Sequence, residues 1–220
     1  MPGPLALVGG AEWSEGCVFD RELLDASGTS EVLVLPTAAA YERPERAVVA
    51  ASRWFEAMGA TVRGLMVLRR PDAEDVSAAA AIRESRFIYL GGGSPLHLRS
   101  VLKDTKVWSA LEEAWQGGAT LAGSSAGGMV LGDPMVDPRG GAYTLGLGLV
   151  EQLALIPHHD TWSADKTHRT MELAPSGVAV VGVDERTAVI RDPSGTWRAA
   201  GAGTVDVFRD GTRVGLTGLA

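Results

Sequence analysis

The sequence has little cysteine, no long apolar run and no cluster of basic residues. Cys17 is the only cysteine, which excludes a disulfide framework, a cysteine-based zinc site and a CxxC redox pair. No stretch approaches the roughly 18 consecutive apolar residues that a membrane-spanning helix needs. Residues 1–13 lack the charged and apolar regions of a signal peptide. These absences predict a cytoplasmic protein without a membrane partner.

The charge balance is negative, with a formal net charge of −7 at pH 7. Such a chain is repelled by a phosphate backbone and by anionic lipid, so nucleic acid is a poor candidate partner. The chain has 220 residues, of which 45% are hydrophobic, and this is enough for one compact core. We therefore expect residues 1–220 to form a single domain.

Short apolar runs that end in glycine or proline recur through the first part of the chain. They are PLALVGG (4–10), EVLVLPT (31–37), ATVRGLMVL (60–68), RFIYLGGG (86–93) and ATLAGSS (119–125). Segments 43–59, 72–86 and 94–118 have helical periodicity, the last as two helices. Apolar strands that alternate with helices predict an α/β fold, a mostly parallel sheet with helices on both faces.

The pattern changes from about residue 145. Segments 178–192, 196–203 and 204–216 read as short strands with tight turns, and Asp210 and Gly211 give a hairpin signal in the last of them. The C-terminal third is therefore expected to be a small C-terminal β addition to the same domain.

The stretch GSSAG (123–127) contains a G-x-S-x-G pattern centred on Ser125. It ends an apolar strand and precedes GMVLG (128–132), which can open a helix. A sharp strand-to-helix turn exposes a serine hydroxyl and directs the following backbone N–H groups at an oxyanion. Ser125 is therefore a candidate nucleophile. The alternative is a small-residue loop that lets a helix pack closely against the sheet.

A serine nucleophile needs a base, and the chain has four histidines. His158 and His159 follow LALIP (153–157), which reads as a strand end, and sites in open α/β sheets gather where strands end. This pair is therefore favoured. His97 and His168 lie in segments that are expected to be helical, and we interpret them as surface or helix-capping residues.

The segment HHD (158–160), together with His168, also raises the possibility of metal binding, because it offers nitrogen and oxygen ligands. Adjacent side chains on a strand point to opposite faces, however, so His158 and His159 would not easily share one ion. We therefore expect neither a metal nor another cofactor.

The base must be oriented by an acidic group that stabilises the imidazolium. The candidates are Asp137, Asp160, Asp184 and Glu185. Glu185 and Asp184 are preferred because charged residues at the end of a buried strand are poor core material, although a solvated turn is the alternative. The order Ser125, His158, Glu185 differs from the serine, acid, histidine order of α/β-hydrolases, so a different hydrolase lineage is needed.

Three local signatures carry a resemblance to a known family. They are YLGGGSP (89–95), GSSAGGMVLG (123–132), and LIPHHD (155–160) followed by VVGVDERTAV (180–189). With the strand pattern and the residue order, they resemble the serine peptidase family of aspartyl dipeptidase (dipeptidase E) and cyanophycinase. The resemblance spans nearly the whole chain. It implies a fold like that of the class I glutamine amidotransferases.

The resemblance implies that Ser125 is the nucleophile and that His158 is the catalytic histidine. It also implies that Glu185 is the acidic member of the triad. Asp160 stays open as an alternative third member, because it is close in sequence to His158 and could reach a histidine at the same strand end.

The resemblance further implies an oxyanion hole made by the backbone N–H of Ala126 and by one from Gly92 or Gly93. Glycines after a strand agree with this, because they let the backbone approach a carbonyl closely. Nucleotide binding by the glycines at 91–93 is disfavoured, since they lack G-x-G-x-x-G spacing.

The chain departs from the family at positions that border the substrate pocket. Ser94 and Pro95 follow the glycines, and His159 stands where the family commonly has phenylalanine. Lys166 and Arg169 lie in the segment where the resemblance places cationic side chains that bind a substrate carboxylate. The alternative is that both are solvated charges on a helix. Ser94, His159, Lys166 and Arg169 are thus the candidate substrate-binding residues, and a preference for aspartate stays open.

The sequence therefore predicts a serine peptidase that acts on short peptides, next to an acidic residue. A homodimer is compatible with this prediction. Two alternatives stay open. A glutamine amidotransferase-like domain would ordinarily need a cysteine at position 125, and a non-catalytic binding protein of the same fold would show no turnover.

Overall fold

A computed structural model describes residues 1–219. In chain order, its strands are β1 (Leu5–Val8), β2 (Glu31–Leu35), β3 (Thr61–Gly64), β4 (Phe87–Leu90), β5 (Thr120–Ser124), β6 (Gly132–Asp133), β7 (Met135–Val136), β8 (Tyr143–Thr144), β9 (Val150–Glu151), β10 (Leu153–Ile156), β11 (Ala179–Val183), β12 (Thr187–Arg191), β13 (Trp197–Gly201), β14 (Val205–Arg209) and β15 (Thr212–Val214). Its helices are α1 (Phe19–Ser27), α2 (Pro44–Glu56), α3 (Arg70–Ala73), α4 (Val76–Glu84), α5 (Pro95–Leu102), α6 (Lys106–Gln116), α7 (Ala126–Leu131) and α8 (Ala164–Glu172).

The larger sheet has the strand order β13-β12-β1-β5-β4-β2-β3. The strands from β1 to β3 in that order run parallel, whereas β12 pairs antiparallel with β1 and β13 antiparallel with β12. Strands β1 and β4 are buried along their whole length, as expected for parallel strands covered on both faces. The predicted α/β architecture is confirmed, and the segment 94–118 forms the two helices α5 and α6.

A second sheet has the order β15-β14-β11-β10-β6-β9, in which β10 and β11 run parallel. The C-terminal strands are divided between the two sheets, which the sequence pattern did not indicate. Strands β11, β14 and β15 belong to the second sheet, whereas β12 and β13 extend the larger one. The chain therefore crosses from one sheet to the other in the short turn between β11 and β12.

Alternating side chains of the larger sheet fill two hydrophobic clusters. Leu5 and Leu7 point into one cluster, and Ala6 and Val8 point into the other, as the two-residue period of a strand requires. The first cluster continues to Leu155 of the second sheet. Each such buried leucine contributes roughly 1.5–3 kcal/mol of transfer free energy. This shared core holds the second sheet against one face of the larger sheet.

Short contacts join the carboxyl ends of β1, β5 and β10. The carbonyl of Val8 accepts a hydrogen bond from the N–H of Ser125 (2.9 Å), and that of Gly9 accepts one from the N–H of His158 (2.7 Å). The residues that follow these strands therefore meet at one edge. Over residues 1–219, no helix has the length and apolar character needed to cross a membrane.

Candidate active site

Ser125 occupies a strained turn between β5 and α7. Its φ of 48° and ψ of −110° lie in a region that non-glycine residues rarely adopt, at a cost of about 1–3 kcal/mol. The carbonyl of Ser125 accepts a hydrogen bond from the N–H of Met129 (2.8 Å), and its own N–H is bound to β1. The turn is thus fixed on both sides, and the serine hydroxyl is held at the edge where the strands end.

The glycines around Ser125 are required by close packing. A Cβ atom at Gly123 would lie 2.6 Å from the carbonyl carbon of Gly127, and one at Gly127 would lie 2.3 Å from the carbonyl oxygen of Leu90. The small residues of the motif therefore let α7 pack directly on the sheet. This is the structural role that the sequence analysis gave as the alternative to a nucleophile.

His158 follows β10 and contacts both Ser125 and Glu185. Its Nε2 atom lies 3.0 Å from the Oγ atom of Ser125, and its Nδ1 atom lies 2.8 Å from the Oε1 atom of Glu185. A carboxylate at Nδ1 favours the tautomer in which Nδ1–H donates to Glu185 and Nε2 accepts from the serine hydroxyl. The three side chains form one hydrogen-bonded chain that is partly open to solvent.

Asp160 contacts the backbone of Glu185. The Oδ1 atom of Asp160 accepts a hydrogen bond from the backbone N–H of Glu185 (3.1 Å). Glu185 itself comes from the turn between β11 and β12, where the chain crosses between the sheets. That crossing directs its carboxylate toward the ring of His158.

The other two acidic candidates have different partners. Asp184 accepts hydrogen bonds from the backbone N–H and the hydroxyl of Thr204, both at 2.8 Å. Asp137 binds the side chain of Arg139 at 2.9 and 2.7 Å. These hydrogen bonds lower the pKa of Asp137 to about 2. Both carboxylates therefore stabilise loops.

The two glycine amides nominated for the oxyanion hole have different surroundings. The N–H of Gly92 donates to the Oε1 atom of Glu12 (3.1 Å), so it already has an anionic acceptor. In the described part of the chain the N–H of Gly93 has no acceptor, and Gly93 borders the cleft beside Ser125. Ala126 is the first residue of α7, so its N–H has no carbonyl partner within that helix.

Glu12 was not identified by the sequence analysis. Its Oε1 atom binds Gly92, and its Oε2 atom accepts a hydrogen bond from the hydroxyl of Ser124 (2.7 Å). Glu12 belongs to the segment GGAEW (9–13), which matches no common motif. The available signal was its place just after β1, because parallel strands end at the same edge of a sheet.

A cleft of about 330 Å³ opens beside Ser125 and His158. Trp162 and Lys166 form one wall, and the Nζ atom of Lys166 lies 3.5 Å from the centroid of the Trp162 ring. Partial burial lowers the pKa of Lys166 from its ordinary value. The sequence analysis did not identify Trp162, which precedes α8, so that no helical spacing links it to Lys166.

Lys166 is the candidate substrate-binding residue that the structure brings to the cleft. The hydroxyl of Ser94 instead caps α5 by accepting the N–H of His97 (3.3 Å). The ring of His159 lies against Gly182, where a Cβ atom would be only 2.7 Å from its Cγ atom. Arg169 is exposed on α8. The side chains of Ser94, His159 and Arg169 therefore do not line the cleft, although Ser94 stands between Gly93 and Pro95, which do.

His159 points away because of the backbone at the preceding residue. His158 has a left-handed conformation (φ 51°, ψ 38°), so the chain turns sharply before His159. The Nδ1 atom of His159 lies 3.8 Å from Asp184 and 3.9 Å from Asp206. The two adjacent histidines therefore face different partners. Within residues 1–219, no group of three or more histidine, cysteine or acidic side chains is arranged to hold a metal ion.

Cys17 lies apart from the serine turn. It is fully buried, and its thiol is 3.6 Å from the carbonyl oxygen of Ala11. Burial raises the pKa of this thiol, which disfavours the reactive thiolate. The hydroxyl of Ser125 is therefore the candidate nucleophile of the site.

Comparisons with known proteins show similarity to peptidases. The model of the family described as Peptidase family S51 matches residues 5–196. A cyanophycinase from Trichormus variabilis is 29% identical to the chain over 221 residues, which cover 91% of this chain and 72% of the relative.

Two solved structures are similar in fold. One is a peptidase from an acI-B1 Actinobacterium, with a TM-score of 0.87 and 27% identity over 97% of this chain and 93% of that chain. The other is a putative peptidase E protein from Listeria monocytogenes, with a TM-score of 0.67 and 18% identity over 95% of this chain and 99% of that chain. The second likeness concerns the fold alone.

Proposed function

Because the chain belongs to peptidase family S51 and is a serine-type peptidase, we propose that Ser125, His158 and Glu185 hydrolyse short peptides through an acyl-enzyme. The observation that carries the proposal is the continuous chain of hydrogen bonds, 3.0 Å from Ser125 to His158 and 2.8 Å from His158 to Glu185. A nucleophile, a base and an orienting carboxylate in this order are the groups that acyl transfer needs.

In the acylation step, Oγ of Ser125 attacks the peptide carbonyl carbon while Nε2 of His158 takes the hydroxyl proton. The tetrahedral intermediate collapses with cleavage of the C–N bond, and the imidazolium gives its proton to the leaving amine. Water then attacks the ester, again with His158 as base, and releases the acid and the free serine. Glu185 stabilises the imidazolium in both steps.

The developing oxyanion is held by the backbone N–H groups of Gly93 and Ala126. Two arguments support these donors over Gly92. The Gly92 N–H is already bound to a carboxylate, and Gly93 borders the cleft next to Ser125. Removing one donor of such a pair from other hydrolases costs about 100- to 1,000-fold in turnover.

A preference for an acidic residue at the cleavage site is supported by Lys166. Its ammonium group borders the cleft that contains Ser125, and partial burial lowers its pKa because the charge is poorly solvated. A substrate carboxylate would relieve that loss of solvation through a charge-assisted hydrogen bond.

A panel of dipeptides and tripeptides rich in aspartyl and β-aspartyl bonds, read by mass spectrometry, tests this function. Ser125→Ala is expected to lower cleavage at least about 1,000-fold. Ser194→Ala, which alters an exposed serine in the turn after β12, serves as the matched control and should cleave like the native protein. Cleavage of no member, or cleavage unchanged in Ser125→Ala, would overturn the proposal.

A further inference from the structure

The carboxylate of Glu12 binds two segments that are both far from it in sequence. One oxygen accepts the N–H of Gly92 (3.1 Å), 80 residues away, and the other accepts the hydroxyl of Ser124 (2.7 Å), 112 residues away. Gly92 lies in the loop after β4, and Ser124 is the last residue of β5. A single side chain therefore ties these two strand ends together.

Each partner of Glu12 stands directly beside the proposed oxyanion machinery. Gly92 precedes Gly93, and Ser124 precedes the turn that presents Ser125 and Ala126. A Cβ atom at Gly92 would lie 3.6 Å from the Cβ atom of Ser125, so the glycine loop and the serine turn are in close contact. The N–H of Gly93 is separated from that of Gly92 only by the φ and ψ torsions of Gly92, so a fixed Gly92 amide limits the positions that the Gly93 N–H can reach.

The segment that carries Glu12 is held in an unusual conformation. Ala11 and Trp13 both have positive φ values, 49° and 59°, which are costly for residues with a side chain. The hydroxyl of Ser14 donates to the carbonyl of Ala11 (2.6 Å), and the ring of Trp13 packs on that of Tyr89 with centroids 5.2 Å apart. These contacts maintain the strain and direct the Glu12 carboxylate toward the strand ends.

We infer that Glu12 is a positioning residue that sets the separation of the two oxyanion donors, Gly93 and Ala126. It acts through Gly92 and Ser124 and does not touch the substrate. The inference rests on the proposed function, since it assumes that Ser125 forms a tetrahedral intermediate. This role accounts for the hydrogen bond from the Gly92 N–H to the Glu12 carboxylate. Because Glu12 binds that N–H, the next N–H, that of Gly93, is left to bind the oxyanion.

This role depends on hydrogen bonding rather than on negative charge, which allows a conservative test. In Glu12→Gln, the amide oxygen accepts from Gly92 and the amide N–H₂ donates to the hydroxyl of Ser124, which can also accept. Both links are therefore kept without the charge. In Glu12→Ala both are lost.

The experiment measures kcat and KM for a peptide that the native enzyme cleaves, with active sites counted by end-point labelling of Ser125 with a fluorophosphonate. For each labelled site, Glu12→Ala is expected to lower kcat about 10- to 100-fold while KM changes less than about threefold. Glu12→Gln is expected to stay within about threefold of the native kcat. Glu15→Ala, at an exposed position three residues further along the same segment, is the control and should match the native enzyme.

Ser124→Ala keeps the inference testable if Glu12→Ala fails to fold, because it removes only one of the two links. Its kcat is expected to fall about 3- to 10-fold for each labelled site. A kcat within twofold of the native value in Glu12→Ala would overturn the inference. If Glu12→Ala does not fold, the same result in Ser124→Ala would overturn it. A Glu12→Gln enzyme as slow as Glu12→Ala would also overturn it. Failure of the proposed function itself is seen separately, as hydrolysis that persists in Ser125→Ala.

Discussion

A Cβ atom built on Gly10 would lie 2.2 Å from the Cε1 atom of His158. The imidazole therefore occupies the space in which any side chain at position 10 would lie. Gly10 also has a φ of 127°, a conformation that other residues rarely adopt. The segment after β1 thus forms one wall of the slot in which the proposed base is held.

Gly10→Ala is expected to displace the His158 ring and to lower kcat/KM at least about 100-fold, because proton transfer depends on the Nε2 to Oγ distance. Steady-state hydrolysis measures the loss. Gly59→Ala is the matched control, since Gly59 also has a positive φ, of 78°, but a Cβ atom there meets nothing within 4 Å. A Gly10→Ala enzyme as active as Gly59→Ala would contradict the geometry.

Glu185 and Asp160 are separated by paired substitutions. Glu185→Ala removes the carboxylate at Nδ1 of His158, and kcat should fall about 100- to 10,000-fold. Asp160→Ala removes only an acceptor for the backbone N–H of Glu185, and a loss below about tenfold is expected. The two variants are compared by their steady-state kcat and by their single-turnover acylation rates. A larger loss in Asp160→Ala than in Glu185→Ala would reverse the assignment.

Lys166 and Arg169 provide a test of substrate preference. Lys166→Met removes the ammonium group from the cleft, and the ratio of kcat/KM for an acidic over a matched amide peptide should fall about tenfold. Arg169→Met alters an exposed cation on the same helix and should leave that ratio unchanged. If the ratio follows Arg169 instead, the substrate carboxylate lies outside the cleft beside Ser125.

Asp20 makes stability depend on pH. Desolvation by complete burial raises the pKa of Asp20 from 3.8 to about 8, although the hydrogen bond from Trp54 (2.9 Å) acts in the opposite direction. Because the folded-state pKa lies above the unfolded value, the folded state binds the extra proton between these limits. The contribution of Asp20 to the free energy of unfolding is therefore greatest below pH 3.8. This contribution is lost as the pH rises toward about 8.

Asp20→Asn, which keeps an oxygen acceptor for Trp54, should reduce this pH dependence. Asp20 contributes at most about 1.4 kcal/mol of unfolding free energy per pH unit to the native slope between the two pKa values. Urea unfolding at several pH values measures the slope. Asp25→Asn, in the same helix but exposed, is the control and should keep the native slope. An unchanged slope in Asp20→Asn would mean that Asp20 is ionised in the folded protein.

Much of the fold followed from local pattern, because strands such as β1 and β4 are apolar throughout and are bounded by glycine. Ser125 and His158 could be nominated for the same reason, since each follows such a strand. The division of the C-terminal strands between the two sheets could not be predicted, because β11 and β12 have similar apolar sequences. Their separation depends on pairing with β10 and β1, which are distant in the chain.

Glu12 and His159 show the limits of the sequence more sharply. The role of Glu12 depends on contacts across 80 and 112 residues, which no spacing rule describes. His159 is adjacent to the proposed base, but one left-handed residue turns its ring toward Gly182, whose missing side chain makes room for it. Sequence proximity was therefore a poor guide to which side chains border the cleft.

The cleft is lined by Gly93 and Ser125, which follow strands of the larger sheet, and by Pro157 and His158, which follow a strand of the second sheet. Any molecule that fills it therefore links the two sheets. By thermodynamic linkage, each tenfold excess of such a ligand over its dissociation constant adds about 1.4 kcal/mol to the free energy of unfolding. Ser125→Ala is expected to bind peptides without cutting them, so its melting temperature becomes a screen that ranks substrates by binding alone.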